Sequence, residues 1–206
     1  MSHSDQGITL TTEQKAIVSH RGVDLHIVAC AGAGKTEAIS RRIAALINEN
    51  VPPESIVAFT FTNRAADELK NRICNCLRDE SGGKGRLDWI APMFVGTIHS
   101  YCLQLLWRLD AGYGTYDVLD VHRHAALLHR EREQIGLHRL IAGRWNSINE
   151  WIKCVDVIAN ELIDPGQLAG SEVGEVYAKY LKMLDEYHFL TFGLMIAKAV
   201  DALQHP

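Results

Sequence analysis

Lys35 and Thr36 are the residues of this 206-residue chain whose types and setting most directly imply chemistry. They follow a run of small residues, Ala29 to Gly34, and the spacing fits the phosphate-loop pattern G-x-x-x-x-G-K-[ST] with Ala29 in the first place. In such a loop Gly32 and Gly34 permit a tight turn, so successive backbone N–H groups and the positive end of the next helix face one anion. A lysine there reaches the β- and γ-phosphates of a nucleotide, and a threonine hydroxyl ligates the Mg²⁺ that bridges them. A Gly-rich turn that binds nothing would explain the small residues and leave Lys35 without a task.

The elements that must position this loop are legible on both sides of it. Leu25 to Ala29 reads as a buried strand, and Glu37 to Asn50 as a helix with Ile39, Ile43, Leu46 and Ile47 at spacings of three and four. Val51-Pro52-Pro53 breaks that helix. Ile56 to Phe61, continuously apolar and β-preferring, reads as a second, buried parallel strand that completes a βαβ unit. Upstream, a short helix with Ala16, Ile17 and Val18 starts after an N-cap at Thr11 or Thr12, and Gln14 within it carries no signal alone.

Thr60 to Ile73 sets hydroxyl, amide and cationic groups at the carboxyl end of the second strand, where α/β sheets bind ligands. The same residues also suit an ordinary capped helix, with Thr62 or Asn63 as cap and Ala66, Leu69 and Ile73 facing a core. Asp79 to Asp88 is a loop by composition. A short third strand ends at Gly96-Thr97, and a helix follows with Cys102, Leu105, Leu106 and Leu109 on one side. His99 could serve as a base, although a lone histidine near a strand end is more often structural or a phosphate contact.

Beyond Asp110 the periodicity is helical over 121–135, 145–162, 173–188 and 192–203, with breaks at Gly136, Gly143, Asp164-Pro165-Gly166 and Gly170. Val121 to Glu133 mixes Arg123, Arg130 and Arg132 with His122, His124 and His129. A metal site, a local phosphate-binding patch and a solvated helix face all suit that mixture, and the alternating charges favour the solvated face.

Composition narrows the function classes. With 47% apolar residues the chain can form one large domain or two small ones, and its net charge of −4 means that any polyanion site must be local. No run approaches the roughly 18 apolar residues of a membrane span, and the first residues lack the basic and apolar regions of a signal peptide. A cytoplasmic protein is expected. Five scattered cysteines without a C-x-x-C pair point to reduced thiols, with Cys30 in the loop read as a small buried filler.

In this order the pieces resemble the N-terminal part of a UvrD/Rep/PcrA-type superfamily 1 DNA helicase. Leu10 to Gln14 is similar to the Q motif, Ala29 to Thr36 to the Walker A motif, Ala58 to Ala66 to motif Ia and Phe94 to Ser100 to motif Ib. Arg41-Arg42-Ile43 continues the helix as in relatives. The resemblance implies an α/β fold: a partial RecA-like P-loop NTPase parallel sheet over 1–110, an inserted all-helical subdomain over 111–190 and a return helix over 191–206. It implies that Gln14 meets the base, that Ala31, Gly32, Ala33, Gly34, Lys35, Thr36, Glu37 and Arg41 surround the nucleotide, and that Lys35 and Thr36 are catalytic. Thr36 would hold Mg²⁺. Thr60, Phe61, Thr62, Asn63, Arg64, Thr97 and His99 would meet single-stranded DNA, with the Phe61 ring against a base. The implied activity is ATP-dependent, 3′-to-5′ movement on single strands and at single-/double-strand junctions, in repair or a related setting.

Two residues depart from the family pattern: Glu37 stands where relatives often carry arginine, and Thr191 where they usually carry aspartate. No D-E-x-Q stretch occurs before Pro206, so the expectation is a monomeric fragment, inactive alone, whose remainder supplies the second RecA-like domain. A non-enzymatic helicase-like module that binds nucleotide or DNA is the alternative. A small-molecule P-loop kinase also fits the length but leaves Thr60 to Arg64 and Gly96 to Ser100 unexplained.

Overall fold

The computed structural model describes residues 9–80, 91–140 and 146–205, and its buried side chains form two separate cores. These lie in two units, Met1–Ile98 and His99–Pro206. The loop expected over 79–88 lies outside the described residues from Ser81 onward, as do Gly143 and Trp145. Among the described residues no helix is long and apolar enough to cross a membrane.

In the first unit α1 (Thr12–Ser19) is followed by α2 (Lys35–Asn48), β1 (Val57–Phe59), α3 (Asn63–Glu80) and β2 (Phe94–Gly96). Helix α2 buries Ala38, Ile43, Ala44 and Ile47, one stripe at spacings of one to five residues, while Ile39 stays 38% exposed. That stripe meets Ala66, Leu69, Ile73, Cys76 and Leu77 of α3 in the core, with Met93 and Val95 from the β2 region. Ile47 and Ile73 are fully buried, each contributing about 2–3 kcal/mol of transfer free energy. Strands β1 and β2 pair in parallel, Val57 opposite Phe94 and Phe59 opposite Gly96, with α3 in the connection. The βαβ unit is therefore β1-α3-β2.

The expected first strand, Leu25 to Ala29, is not a strand in any ladder. A strand needs N–H and C=O partners on a neighbouring chain segment, and among the described residues β1 and β2 pair only with each other. Its side chains are correspondingly not buried: Leu25 is 40% and Val28 86% exposed. The second strand is shorter than expected, and its Val57 and Phe59 are also half-exposed, unlike a central parallel strand.

The second unit is mainly helical: α4 (Ile98–Leu109), α5 (Val121–Glu131), α6 (Leu137–Leu140), α7 (Asn146–Asn160), α8 (Glu172–Glu186) and α9 (Phe192–Gln204). Two strands not foreseen from the sequence, β3 (Asp117–Val118) and β4 (Phe189–Leu190), pair in parallel. On α4 Cys102 and Leu106 face the core, whereas Leu109 is 53% exposed. Thr191 caps α9 by accepting from the Leu194 N–H at 3.3 Å. Gly193 lets α9 approach α7, since a Cβ there would lie 3.0 Å from the Ala159 methyl.

Helix α5 corrects the expectation of a solvated face. His124 is buried at 4% exposure with Leu127, Leu128 and Glu131, a stripe at i, i+3, i+4 and i+7. Its Nε2 shares a 2.9 Å hydrogen bond with the Tyr180 hydroxyl on α8. Burial pulls the His124 pKa down to about 4 and pushes that of Tyr180 up. Glu131 accepts from the Tyr187 hydroxyl and Arg130, which hold its carboxyl below the usual range, Arg130 first. Among the described residues no group of three or more side chains could hold a metal ion, and the three histidines do not converge.

The folded pKa of His124 lies below its unfolded value, so its stabilising effect is complete above about pH 6.5 and is lost as pH falls toward 4. From that shift it accounts for about 3 kcal/mol of acid sensitivity. Denaturant unfolding of wild type and His124→Gln across this window should show a flatter pH dependence in the variant. Parallel pH profiles would remove His124 from the acid response.

Candidate nucleotide-binding loop and nucleic-acid face

The loop from Ala29 to Gly34 closes on itself through an Ala33 N–H to Cys30 carbonyl hydrogen bond of 3.3 Å. Gly32 and Gly34 both take left-handed backbone, with φ of 78° and 76°. Gly34 is the N-cap of α2, so the chain turns there into the helix whose first residues are Lys35 and Thr36. A 14-residue helix presents its positive end and free N–H groups at that turn.

Lys35 is exposed, and its Nζ donates to the carbonyls of Ala29 at 2.8 Å and Cys30 at 2.6 Å. Both acceptors are main-chain oxygens of the loop, so the ammonium is held over it without a neutralising carboxylate in those contacts. Cys30, expected as buried filler, is exposed and works through its carbonyl. Thr36 is exposed in the first turn, and its own carbonyl accepts from buried Ser40 at 2.8 Å. The side-chain oxygen of Thr36 is therefore on an exposed residue, as a metal-ligating hydroxyl requires.

Glu37 and Arg41, both expected around the nucleotide, bond to each other at 2.7 Å. Glu37 also approaches Arg72 of α3 at 3.6 Å, and Arg72 pairs with Glu68 at 2.8 Å, which raises the Arg72 pKa. Arg72 was not signalled by sequence pattern, because its partner lies 35 positions away on another helix. Gln14 donates from Nε2 to the Ala33 carbonyl at 3.1 Å, which brings α1 to the loop. Arg42 was also missed: it donates to the Ile17 carbonyl at 2.8 Å and to that of His20, and so holds the other end of α1 on α2.

The expected nucleic-acid residues lie at the carboxyl end of β1. Thr60 N–H donates to the Gly96 carbonyl at 2.9 Å, which sets the Thr60 turn beside the residue preceding Thr97. Thr60 Oγ1 donates to the Thr62 carbonyl, and Thr62 Oγ1 caps α3 by accepting from the Ala65 N–H at 3.1 Å. The capped-helix reading is thus met, and the same segment stands at the carboxyl end of β1. Phe61 is fully exposed, and Asn63 and Arg64 are exposed beside it. His99, in the second unit, is half-buried with its ring edge-to-face on Phe192 at 5.0 Å. A trench of about 590 Å³ runs from Thr36 and Thr60 along Leu25, Ile27, Ile43 and Val57.

Comparison with known proteins matches residues 10–206 to the family described as UvrD/REP helicase N-terminal domain. The ATP-dependent DNA helicase UvrD1 of Mycobacterium leprae is 34% identical over 210 residues, covering 95% of this chain and 25% of that protein. The protein of the same name in Mycobacterium tuberculosis is 34% identical over 219 residues, 95% of this chain and 26% of its own length. The ATP-dependent DNA helicase SRS2 of Saccharomyces cerevisiae is 37% identical over 103 residues, 48% of this chain and 8% of its own length. The chain thus spans about a quarter of the length of the UvrD1 relatives it matches. With its phosphate loop, the exposed segment after β1 and the full-length family match, the chain belongs to the UvrD/REP helicase N-terminal domain family.

Proposed function

We propose that this chain forms the nucleotide-binding and single-strand-binding part of an ATP-driven DNA helicase moving 3′ to 5′. The observation that carries this reading is the placement of Lys35 and Thr36 at the start of α2 together with exposed Phe61, Asn63 and Arg64 at the end of β1. In this reading residues 1–110 are a RecA-like domain, 111–190 an inserted helical subdomain and 191–206 a return helix.

The left-handed loop and the unneutralised Lys35 fit a nucleotide's phosphates, and the exposed Thr36 fits one position on Mg²⁺. ATP, when bound, supplies the phosphoanhydride whose cleavage drives movement. Lys35 exchanges carbonyl partners for phosphate oxygens, Thr36 offers its hydroxyl to the cation, and the α2 N-terminus stabilises the charge. Phe61 offers a ring face to any base, and Thr62, Asn63 and Arg64 hold the backbone with hydroxyl, amide and guanidinium donors. Thr97 extends the track.

No D-E-x-Q stretch occurs among the 206 residues, so we place the cation's carboxylate and the activation of water on further chain of the parent protein. The trench suits such chain, since Leu25, Ile27, Val57 and Phe59 line it with apolar groups. The second reading is a helicase-like module that binds nucleotide or DNA without turnover. ATPase assays on a version extended past Pro206 separate the two: turnover that requires single-stranded DNA supports the helicase, and none under any condition supports the binding module.

Lys35→Ala should weaken binding of a fluorescent ATP analogue by roughly 10- to 100-fold, the loss of charge-assisted hydrogen bonds. An unchanged affinity would show that the loop is not the site. Phe61→Ala should weaken oligothymidylate binding about 5-fold or more, measured by anisotropy, because one base loses its stacking partner. Its thermal unfolding should not move, since the ring is fully exposed. Equal oligonucleotide affinity in the two proteins would remove Phe61 from the track.

A further inference from the structure

Helix α1 buries none of its residues, so polar contacts must fix it beside the phosphate loop. At its carboxyl end Arg42 of α2 takes the Ile17 and His20 carbonyls, and Arg21 pairs with Glu49 at 2.8 Å. At its amino end the link is Gln14. The Gln14 Oε1 accepts from the Thr11 N–H at 3.0 Å and the Thr11 Oγ1 accepts from the Gln14 N–H at 3.3 Å, a reciprocal cap that fixes the carboxamide's direction. Its Nε2 is then aimed at the loop, where it donates to the Ala33 carbonyl at 3.1 Å.

That carbonyl belongs to the peptide joining Ala33 to Gly34. A trans peptide is planar, with C=O and N–H pointing opposite ways. Holding the Ala33 oxygen toward α1 therefore turns the Gly34 N–H away from α1. The same Nε2 lies 2.5 Å from the place a Gly34 Cβ would occupy. The carboxamide and the left-handed glycine are built against each other.

We propose that Gln14 is a positioning residue of the phosphate loop. Through the Ala33 carbonyl it sets the orientation of the Ala33–Gly34 peptide, and it raises affinity for phosphate whether or not a base is attached. This role rests on the phosphate-loop reading above and differs from a contact with the base edge, which would affect only ligands that carry a base. Its partner in the role is Thr11, whose N–H steers the carboxamide, not α1 as a whole.

Titration calorimetry with ATP and with inorganic tripolyphosphate, which has no base, separates the two roles. Gln14→Met keeps the length and neutrality of the side chain and removes the donor. It should weaken both ligands by a common factor of about 5, one neutral hydrogen bond. Glu49→Gln weakens the Arg21 pair that fastens the other end of α1 and touches nothing in the loop, and both affinities should stay near wild type. If Gln14→Met weakens ATP and leaves tripolyphosphate unchanged, Gln14 reads the base and the positioning role falls. If Glu49→Gln weakens tripolyphosphate as much as Gln14→Met, the effect comes from loosening of α1 and the role also falls. A wild-type chain that binds neither ligand would overturn the phosphate-loop reading itself, and this role with it.

Discussion

The left-handed turn at Gly34 is the constraint on which the first unit depends. A side chain there would meet two obstacles, a φ of 76° and the Gln14 carboxamide 2.5 Å from the Cβ position. Either alone disfavours substitution, and together they leave glycine. The turn fixes where α2 starts and hence where Lys35 and Thr36 stand. It also fixes the direction of the stripe of Ile43, Ala44 and Ile47, which packs on α3, whose first residues are Asn63 and Arg64. The phosphate loop and the exposed segment after β1 are thereby tied through one apolar contact between two helices.

Two kinds of contact hold that arrangement, and their magnitudes assign them different work. Exposed ion pairs such as Arg21–Glu49 and Arg72–Glu68 are screened by water and contribute little to stability. Full burial of Ile47 and Ile73 is worth several times more per residue. Stability therefore comes from the α2–α3 interface, while the guanidinium contacts choose among orientations of similar energy. Glu37 illustrates the second role. It attracts Arg41 and Arg72 and joins the first turn of α2 to the middle of α3. The negative charge next to the loop is thus balanced within the same unit.

How much of this was legible in the sequence follows from the range of each interaction. Helices came through because their pattern is local: α2, α3, α7, α8 and α9 lie within a few residues of where apolar spacing placed them. The turn at Gly32 and Gly34 that opens into α2 was legible because its small residues and the start of the helix are adjacent in sequence. The strand at Leu25 to Ala29 did not, because apolar content marks a segment able to join a sheet but cannot supply the neighbour it would pair with. Two-residue strands such as β3 and β4 leave no pattern at all. His124 was misjudged for a different reason. The stripe of His124, Leu127, Leu128 and Glu131 is a regular helical face, but with two ionisable members it reads as solvated until the Tyr180 and Tyr187 hydroxyls that satisfy them are known.

The two units treat polar groups in opposite ways, and the contrast bears on where chemistry resides. In the second unit the histidine and the glutamate of α5 are buried and bonded, so they serve shape: a neutral His124 beside Tyr180 has no solvent to exchange with and no space for a ligand. In the first unit Lys35, Thr36, Asn63 and Arg64 stay exposed, and so does Phe61, an aromatic ring from which the fold gains nothing. A large apolar side chain left in water at the tip of a strand is neutral or costly for an isolated domain. Its position beside capped, donor-rich backbone at the carboxyl end of β1 is explained when a flat apolar partner covers it, and bases of a single strand are such partners. Under the proposed function the exposed ring, more than any buried group, is what a single strand would meet.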